Sequence, residues 1–251
     1  MCGFFGVIGN NITTQLHSHV HNAGTGMAYR GPDAYLHLKE DTYSFFFNRL
    51  AIRDLTNNSI QPIYSPSGRF IMMFNGEVYN TQELIEMYSL NNDFGSDTLL
   101  LSSILDIEGS LAFKHAEGMF SAIIWDVHSG ELHLIRDPFG IKPLFCYLSS
   151  EYFFFSSEVS ALLNTLSVIG INLTMNRSAV RRYLTRGIFM ENGLTWIEDI
   201  EALMPGFLYT INKNDLLLTR SSSELCKRVK STSGKNHMDS IECALNKSLV
   251  S

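Results

Sequence analysis

The sequence predicts an α+β fold in which two packed, mostly antiparallel sheets carry helices on their faces. Two observations lead to it. Short strand-like runs succeed one another in hairpin fashion, and helical patterns are fewer and fall between them. The clearest hairpin joins an apolar, aromatic run at 119–127 to residues 131–136 through His128-Ser129-Gly130.

Taken in order, residues 3–9 form a short apolar run bounded by glycines, which reads as a buried strand at the start of the chain. Leu16, Val20, Ala23 and Met27 recur at helical spacing, although Gly24 and Gly26 each weaken a helix by about 1 kcal/mol relative to alanine. Arg30-Gly31-Pro32-Asp33 is a turn signal. Strands are expected at 43–50 and 70–75. Asn80 with Glu83 forms a capping box ahead of Leu84, Ile85 and Tyr88, and Asp97 starts a helix running to Leu105. Past the hairpin come strands at 144–148 and 152–155, a helix near 158–164, and another at 179–185 capped by Asn176 or Ser178. Strand-like runs at 206–211 and 216–219 follow. Residues 221–237 are serine-rich, basic and poor in large apolar side chains, which reads as a linker. A helical pattern returns at 238–251, with Asp239 and Glu242 as its capping box.

A chain of 251 residues, 45% hydrophobic and 18% charged, is long enough to bury a sizeable core without disulfides or metal. Its net charge of −6 argues against nucleic acid as a partner. No apolar stretch reaches the roughly 18 residues of a membrane span, and the N-terminus lacks the basic segment of a signal peptide. Cys2, Cys146, Cys226 and Cys243 show no CxxC pairing, which fits a reducing cytoplasm; Cys146 reads as a buried small hydrophobe. His17, His19 and His21 form an HxHxH run. Only His17 and His21 share a helix face and no cysteine or acid accompanies them, so a solvated helix face is expected rather than a metal site.

Cys2 is the most informative residue. A small second residue permits removal of Met1, which leaves a cysteine with a free α-amine of pKa about 7.7–8.0. That amine can take the thiol proton within the same residue, a known way to activate a nucleophile. A small residue in second place is common in proteins, so the flanking pattern decides its meaning. Cys2-Gly3-Phe4-Phe5-Gly6-Val7 resembles the opening of the class II glutamine amidotransferases, which are N-terminal nucleophile hydrolases. Arg30-Gly31-Pro32-Asp33, Arg49-Leu50-Ala51-Ile52, Gln61-Pro62, Asn75-Gly76-Glu77-Val78-Tyr79-Asn80 and Gly95-Ser96-Asp97 follow in that family's order. So do Gly118-Met119-Phe120, the run from Arg136 to Leu144, Ser157-Glu158 and Pro205-Gly206. The resemblance covers roughly residues 1–211, and RGPD, NGEVYN and RDPFGIKPL together are similar to the asparagine synthetase branch.

The resemblance implies a four-layer αββα sandwich over residues 1–211, a strand end and linker at 212–237, and at 238–251 the first helix of an absent synthetase domain. It also implies a glutaminase. Cys2 would attack the carboxamide of L-glutamine, and Asn75 and Gly76 would donate to the oxyanion. Two such donors are commonly worth a few kcal/mol each. Arg49 would meet the carboxylate of glutamine through its planar fork, Glu77 and Asp97 would meet its ammonium, and Leu50 and Ile52 would complete the pocket. The RGPD turn would belong to a loop that closes over glutamine. This half needs no metal or organic cofactor; ATP and Mg are expected only for the synthetase domain, supplied in cis or in trans. A homodimer is compatible with the sequence. The chain departs from the family at Tyr29 and Phe47, where relatives tend to carry histidine, so both positions are expected to line the loop or the ammonia exit. No serine- and glycine-rich pyrophosphate loop occurs in these residues, which leads to the expectation of a truncated chain or a split gene. Two alternatives stand beside the leading reading: the same glutaminase serving another acceptor, such as a sugar carboxylate, and a catalytically silent scaffold.

Overall fold

The computed structural model describes residues 1–52, 54–90, 94–188 and 192–221, together with position 246. Strand β1 (Gly3–Gly9) leads into helix α1 (Thr14–Gly26), the hairpin of β2 (Ala34–Glu40) and β3 (Tyr43–Arg49), and a short β4 (Ile63–Tyr64). Then come β5 (Phe70–Val78), α2 (Thr81–Met87), α3 (Asp97–Glu108), and the hairpin of β6 (Gly118–Asp126) and β7 (Glu131–Arg136). The chain continues through β8 (Phe145–Leu148), β9 (Tyr152–Ser156), α4 (Val159–Val168), α5 (Arg177–Arg186), β10 (Ile200–Ala202), β11 (Leu208–Asn212) and β12 (Thr219–Ser221).

All strand pairings are antiparallel. They build two sheets, one ordered β10-β8-β9-β1-β3-β2 and the other β12-β11-β7-β6-β5-β4. Alternation of side chains along each strand sorts residues between layers. Phe4, Ile8, Phe45 and Phe47 of the first sheet meet Ile71, Met73, Ile123 and Trp125 of the second in the central layer. The intervening residues Phe5, Val7, Phe46 and Phe154 face outward onto α1 and α4, through Leu16, Val20 and Leu162. Phe70, Met72, Phe74 and Ile124 face outward onto α2 and α3, through Leu84, Leu101 and Ile104. The result is the expected αββα sandwich, in which each fully buried large side chain contributes about 1.5–3 kcal/mol by transfer. Strands buried on both faces explain why the sequence shows continuous apolar runs there in place of clean alternation.

Gly24 is needed in α1, because a Cβ there would lie 2.2 Å from the Phe46 ring. Sequence and structure differ at several points. Asn80 does not build a capping box: its amide donates to the His115 carbonyl at 2.9 Å and its oxygen accepts from Glu117 N–H at 2.8 Å, tying the start of α2 to the loop before β6. Helix α3 does start at Asp97, capped by Ser96, and runs on past Leu105 to Glu108. The three histidines are not a solvated face. His21 stacks on His37 of β2 at 5.6 Å, and His17 and His19 each bury a nitrogen without a partner, His19 in a groove against α4. β2, β4 and β10 were not anticipated; each is an edge strand or short, where the apolar pattern is weakest. The second sheet extends to Ser221 through β12. Cys226, Cys243, most of the linker and the 238–251 helix lie outside the described residues. No described helix is long and apolar enough to cross a membrane.

Candidate active site

The alternation that fills the central layer with apolar side chains also places the polar ones. Cys2 lies two residues before Phe4, Arg49 two beyond Phe47, and Asn75 two beyond Met73, so all continue the inward-facing sets past the end of the apolar core. Glu77 follows in the same phase. These four, with Leu50, Ile52, Gly76 and Asp97, line one cavity of about 280 Å³ between the sheets. The volume is near the lower end for a small-molecule site. The eight residues proposed from the sequence for catalysis and glutamine binding are therefore gathered in one place.

Cys2 is held from two sides. Its Sγ accepts from the Leu50 N–H at 3.4 Å and donates to the Leu50 carbonyl at 3.7 Å. Its carbonyl accepts from Arg30 Nε at 3.1 Å, and the same guanidinium is ion-paired with Glu158. Ser157 pins the next strand residue, its hydroxyl accepting from Phe4 N–H at 3.2 Å. Burial pushes the Cys2 thiol above its ordinary pKa; the Leu50 hydrogen bond, the N-terminal ammonium, Arg49 and Lys142 oppose that rise in descending order. The amine that opposes it here is carried by Met1, which is 55% exposed at the mouth.

Asn75 is 1% exposed, and its Nδ2 has no hydrogen-bond partner. An unpaired buried amide costs about 1–3 kcal/mol, so its persistence points to a ligand oxygen. Gly76 supplies the second donor by strand geometry. It sits opposite Phe120, whose N–H and C=O both turn away to Asp137, at 3.3 and 2.8 Å. The Gly76–Phe120 pair is thus the wide, non-bonded kind, and the Gly76 N–H is aimed off the ladder on the cavity side. Glycine is required because a Cβ would lie 2.2 Å from the Met119 carbonyl oxygen.

The charged groups are less simple. Arg49 spends three N–H groups on its own loop: one on the Thr56 carbonyl at 2.5 Å, one on the Asp54 carbonyl, and one on the Ser59 hydroxyl at 2.8 Å. Less of its fork is left for a carboxylate than the sequence implied. Asp97 is buried, its oxygens accepting from Thr98 N–H at 2.9 Å and Val78 N–H at 3.2 Å. Glu77 is half-buried at the cavity wall.

Several residues that position the site were visible only as members of motifs, without a role. Asp33 accepts from Ala51 N–H at 2.7 Å and so ties the RGPD turn to the loop carrying Leu50. Gln61 reads the edge of β5, accepting from Phe74 N–H at 2.5 Å and donating back to the Phe74 carbonyl at 3.2 Å. Fully buried Asp137 accepts from the N–H groups of Phe120, Phe139, Ile141 and Lys142, while Arg136 donates to the carbonyls of Gly140, Lys142 and Leu203. Together they fix the loop that brings Lys142 into the cavity. Tyr29 and Phe47 lie outside the cavity lining. Tyr29 is exposed in the turn, and Phe47 lies in the central core.

A profile of the glutamine amidotransferase domain matches residues 1–221. The glutamine-hydrolysing asparagine synthetase 1 of Bacillus subtilis is 30% identical over 219 residues, covering 84% of this chain and 33% of that protein. Asparagine synthetase 2 of the same organism is 35% identical over 171 residues, covering 65% of this chain and 22% of that protein. The chain thus spans about a third or less of these relatives' lengths. In structure it is similar to the glutamine phosphoribosylpyrophosphate amidotransferase of B. subtilis, with TM-score 0.61 and 15% identity over 88% of this chain and 49% of that one, a likeness of fold. With Cys2, Asn75 and Gly76 lining one cavity between two sheets, and a family profile running through nearly every described residue, the chain belongs to the glutamine amidotransferase domain family.

Proposed function

We propose that the chain is a glutaminase that releases ammonia from L-glutamine for an ATP-dependent, asparagine synthetase-type acceptor domain. Once Met1 is removed, the Cys2 thiol passes its proton to its own α-amine and the sulfur attacks the carboxamide carbon. Charge collects on the amide oxygen, where the Asn75 Nδ2 and the Gly76 N–H meet it. The C–N bond then breaks, the α-ammonium returns its proton to the leaving nitrogen, and ammonia departs from a γ-glutamyl thioester. Water adds to that thioester and glutamate leaves. Glu77 and Asp97 offer negative charge to the substrate's ammonium, and Arg49 and the rim at Leu50 and Ile52 position its other end. The half-reaction requires no metal or organic cofactor, and the reading places it in the cytoplasm; ATP and Mg would serve the acceptor domain.

The observation that carries the proposal is the orphaned Asn75 amide in the same cavity as the Cys2 sulfur. The test is ammonia and glutamate release by protein whose Met1 has been removed, beside Cys2→Ala. The wild type is expected to turn over slowly without an acceptor domain, and Cys2→Ala to show none. A diazo-ketone glutamine analogue is expected to add its mass to Cys2, and labelling elsewhere would overturn the assignment.

A further inference from the structure

Lys142 takes no part in the chemistry above, yet its position is unusual. It is 7% exposed, lines the same cavity as Cys2, and makes no ion pair or side-chain hydrogen bond among the described residues. Lysine is almost never buried to this degree without a partner. The loop that holds it is fixed rather than adaptable. Its own N–H is bound by Asp137 at 3.1 Å, its carbonyl by Arg136 at 2.8 Å, and Gly140 beside it adopts φ +65°. The ammonium is therefore delivered to the cavity by backbone restraints and left for something that forms there.

We infer that Lys142 is an electrostatic partner of the Cys2 sulfur, favouring its thiolate against the burial of the site before glutamine arrives. The deepening rests on the glutaminase reading for its purpose but not for its physics. The neighbouring guanidiniums keep their charge but are fixed in place by other contacts. Arg49 is committed to the carbonyls of Thr56 and Asp54 and to Ser59, and Arg30 to the Cys2 carbonyl and Glu158. The acids lining the cavity, Asp54, Glu77 and Asp97, all work against a thiolate. Among the described residues, and besides the N-terminal ammonium, Lys142 is the cation lining the cavity with no protein partner; its charge acts on the thiol in the required direction, behind the Leu50 hydrogen bond, the ammonium and Arg49. In a low-dielectric pocket one cation can move an acid by about one pKa unit, which is tenfold in thiolate population at a fixed pH below the pKa.

The test uses a neutral reagent, so that glutamine recognition plays no part. Rates of iodoacetamide alkylation at Cys2, located by peptide mass, are measured from pH 5 to 10 on protein with Met1 removed. Lys142→Met is expected to displace the profile upward by about one pH unit and slow alkylation at pH 7 about tenfold. Lys142→Arg is expected to restore most of the wild-type profile. Lys142→Gln, which keeps a polar head, gives the same reading if the methionine variant does not fold. Unchanged profiles in folded Lys142→Met or Lys142→Gln overturn the inference, as does a variant that alters only KM for glutamine, which would make Lys142 a substrate ligand. If the glutaminase reading alone is wrong, wild-type protein releases no ammonia while the alkylation contrast persists.

Discussion

The two halves of β5 make an instructive contrast. Near its start, Ile71 and Met72 are paired on both sides, by β4 and by β6, and the strand is ordinary sheet interior. Beyond Met72 only β6 remains. There the outer edge is read by side chains, with Gln61 holding both backbone groups of Phe74 and Asp97 holding the Val78 N–H, while the Gly76 N–H between them faces the cavity. The same strand, in the same alternation, is core where a neighbouring strand covers it and chemistry where one does not. That β4 starts only at Ile63, opposite Met72, therefore leaves this edge of β5 to the site.

The largest expected effect breaks that contrast at its polar end. Asn75→Ala should lower kcat about 10²–10³-fold, as loss of one oxyanion donor does. Tm should hold or rise, since an unpaired buried amide is removed. Steady-state kinetics beside calorimetry checks both. Next, Gln61→Ala leaves the Phe74 N–H and C=O without partners and should cost about 1–3 kcal/mol of stability, read by urea unfolding, with KM for glutamine rising alongside. The last effect, confined to acid, tests the closed part of the same sheet. Burial holds His133 down to about 4, and His133 on β7 bonds Thr210 on β11 at 3.0 Å. Its folded pKa lies below the unfolded value, so the unfolded chain binds more protons between about pH 6.5 and 4 and stability falls with pH through that window. His133→Gln should flatten this part of a Tm-against-pH curve while leaving the site untouched.

Much of the molecule was legible in its residues. The eight residues named in advance for the site line one cavity, and each sits in a motif whose chemistry depends on residue type. The strands of the central layer were legible too, since aromatic runs such as Phe45–Phe47 and Phe153–Phe155 have no other home in a chain of this composition. What the sequence concealed were relations between distant segments. Nothing local to Arg30 says that it grips the Cys2 carbonyl, and nothing in Arg49 says that its fork is largely spent on residues 54–59. Asn80 and Glu83 carry a capping-box pattern, but contacts with residues 115 and 117 claim the asparagine. The histidines of α1 were misjudged for the same reason: His21 meets β2, a strand too polar to announce itself, and His19 faces α4.

The bare margin of β5 has a consequence beyond catalysis. An unpaired strand border offers a template on which another polypeptide can grow a sheet, the usual beginning of aggregation. Here the Gln61 amide and the Asp97 carboxylate occupy the groups that such an intruder would need on either side of Gly76. The opening that admits a metabolite is thus too short and too well guarded to admit a foreign chain.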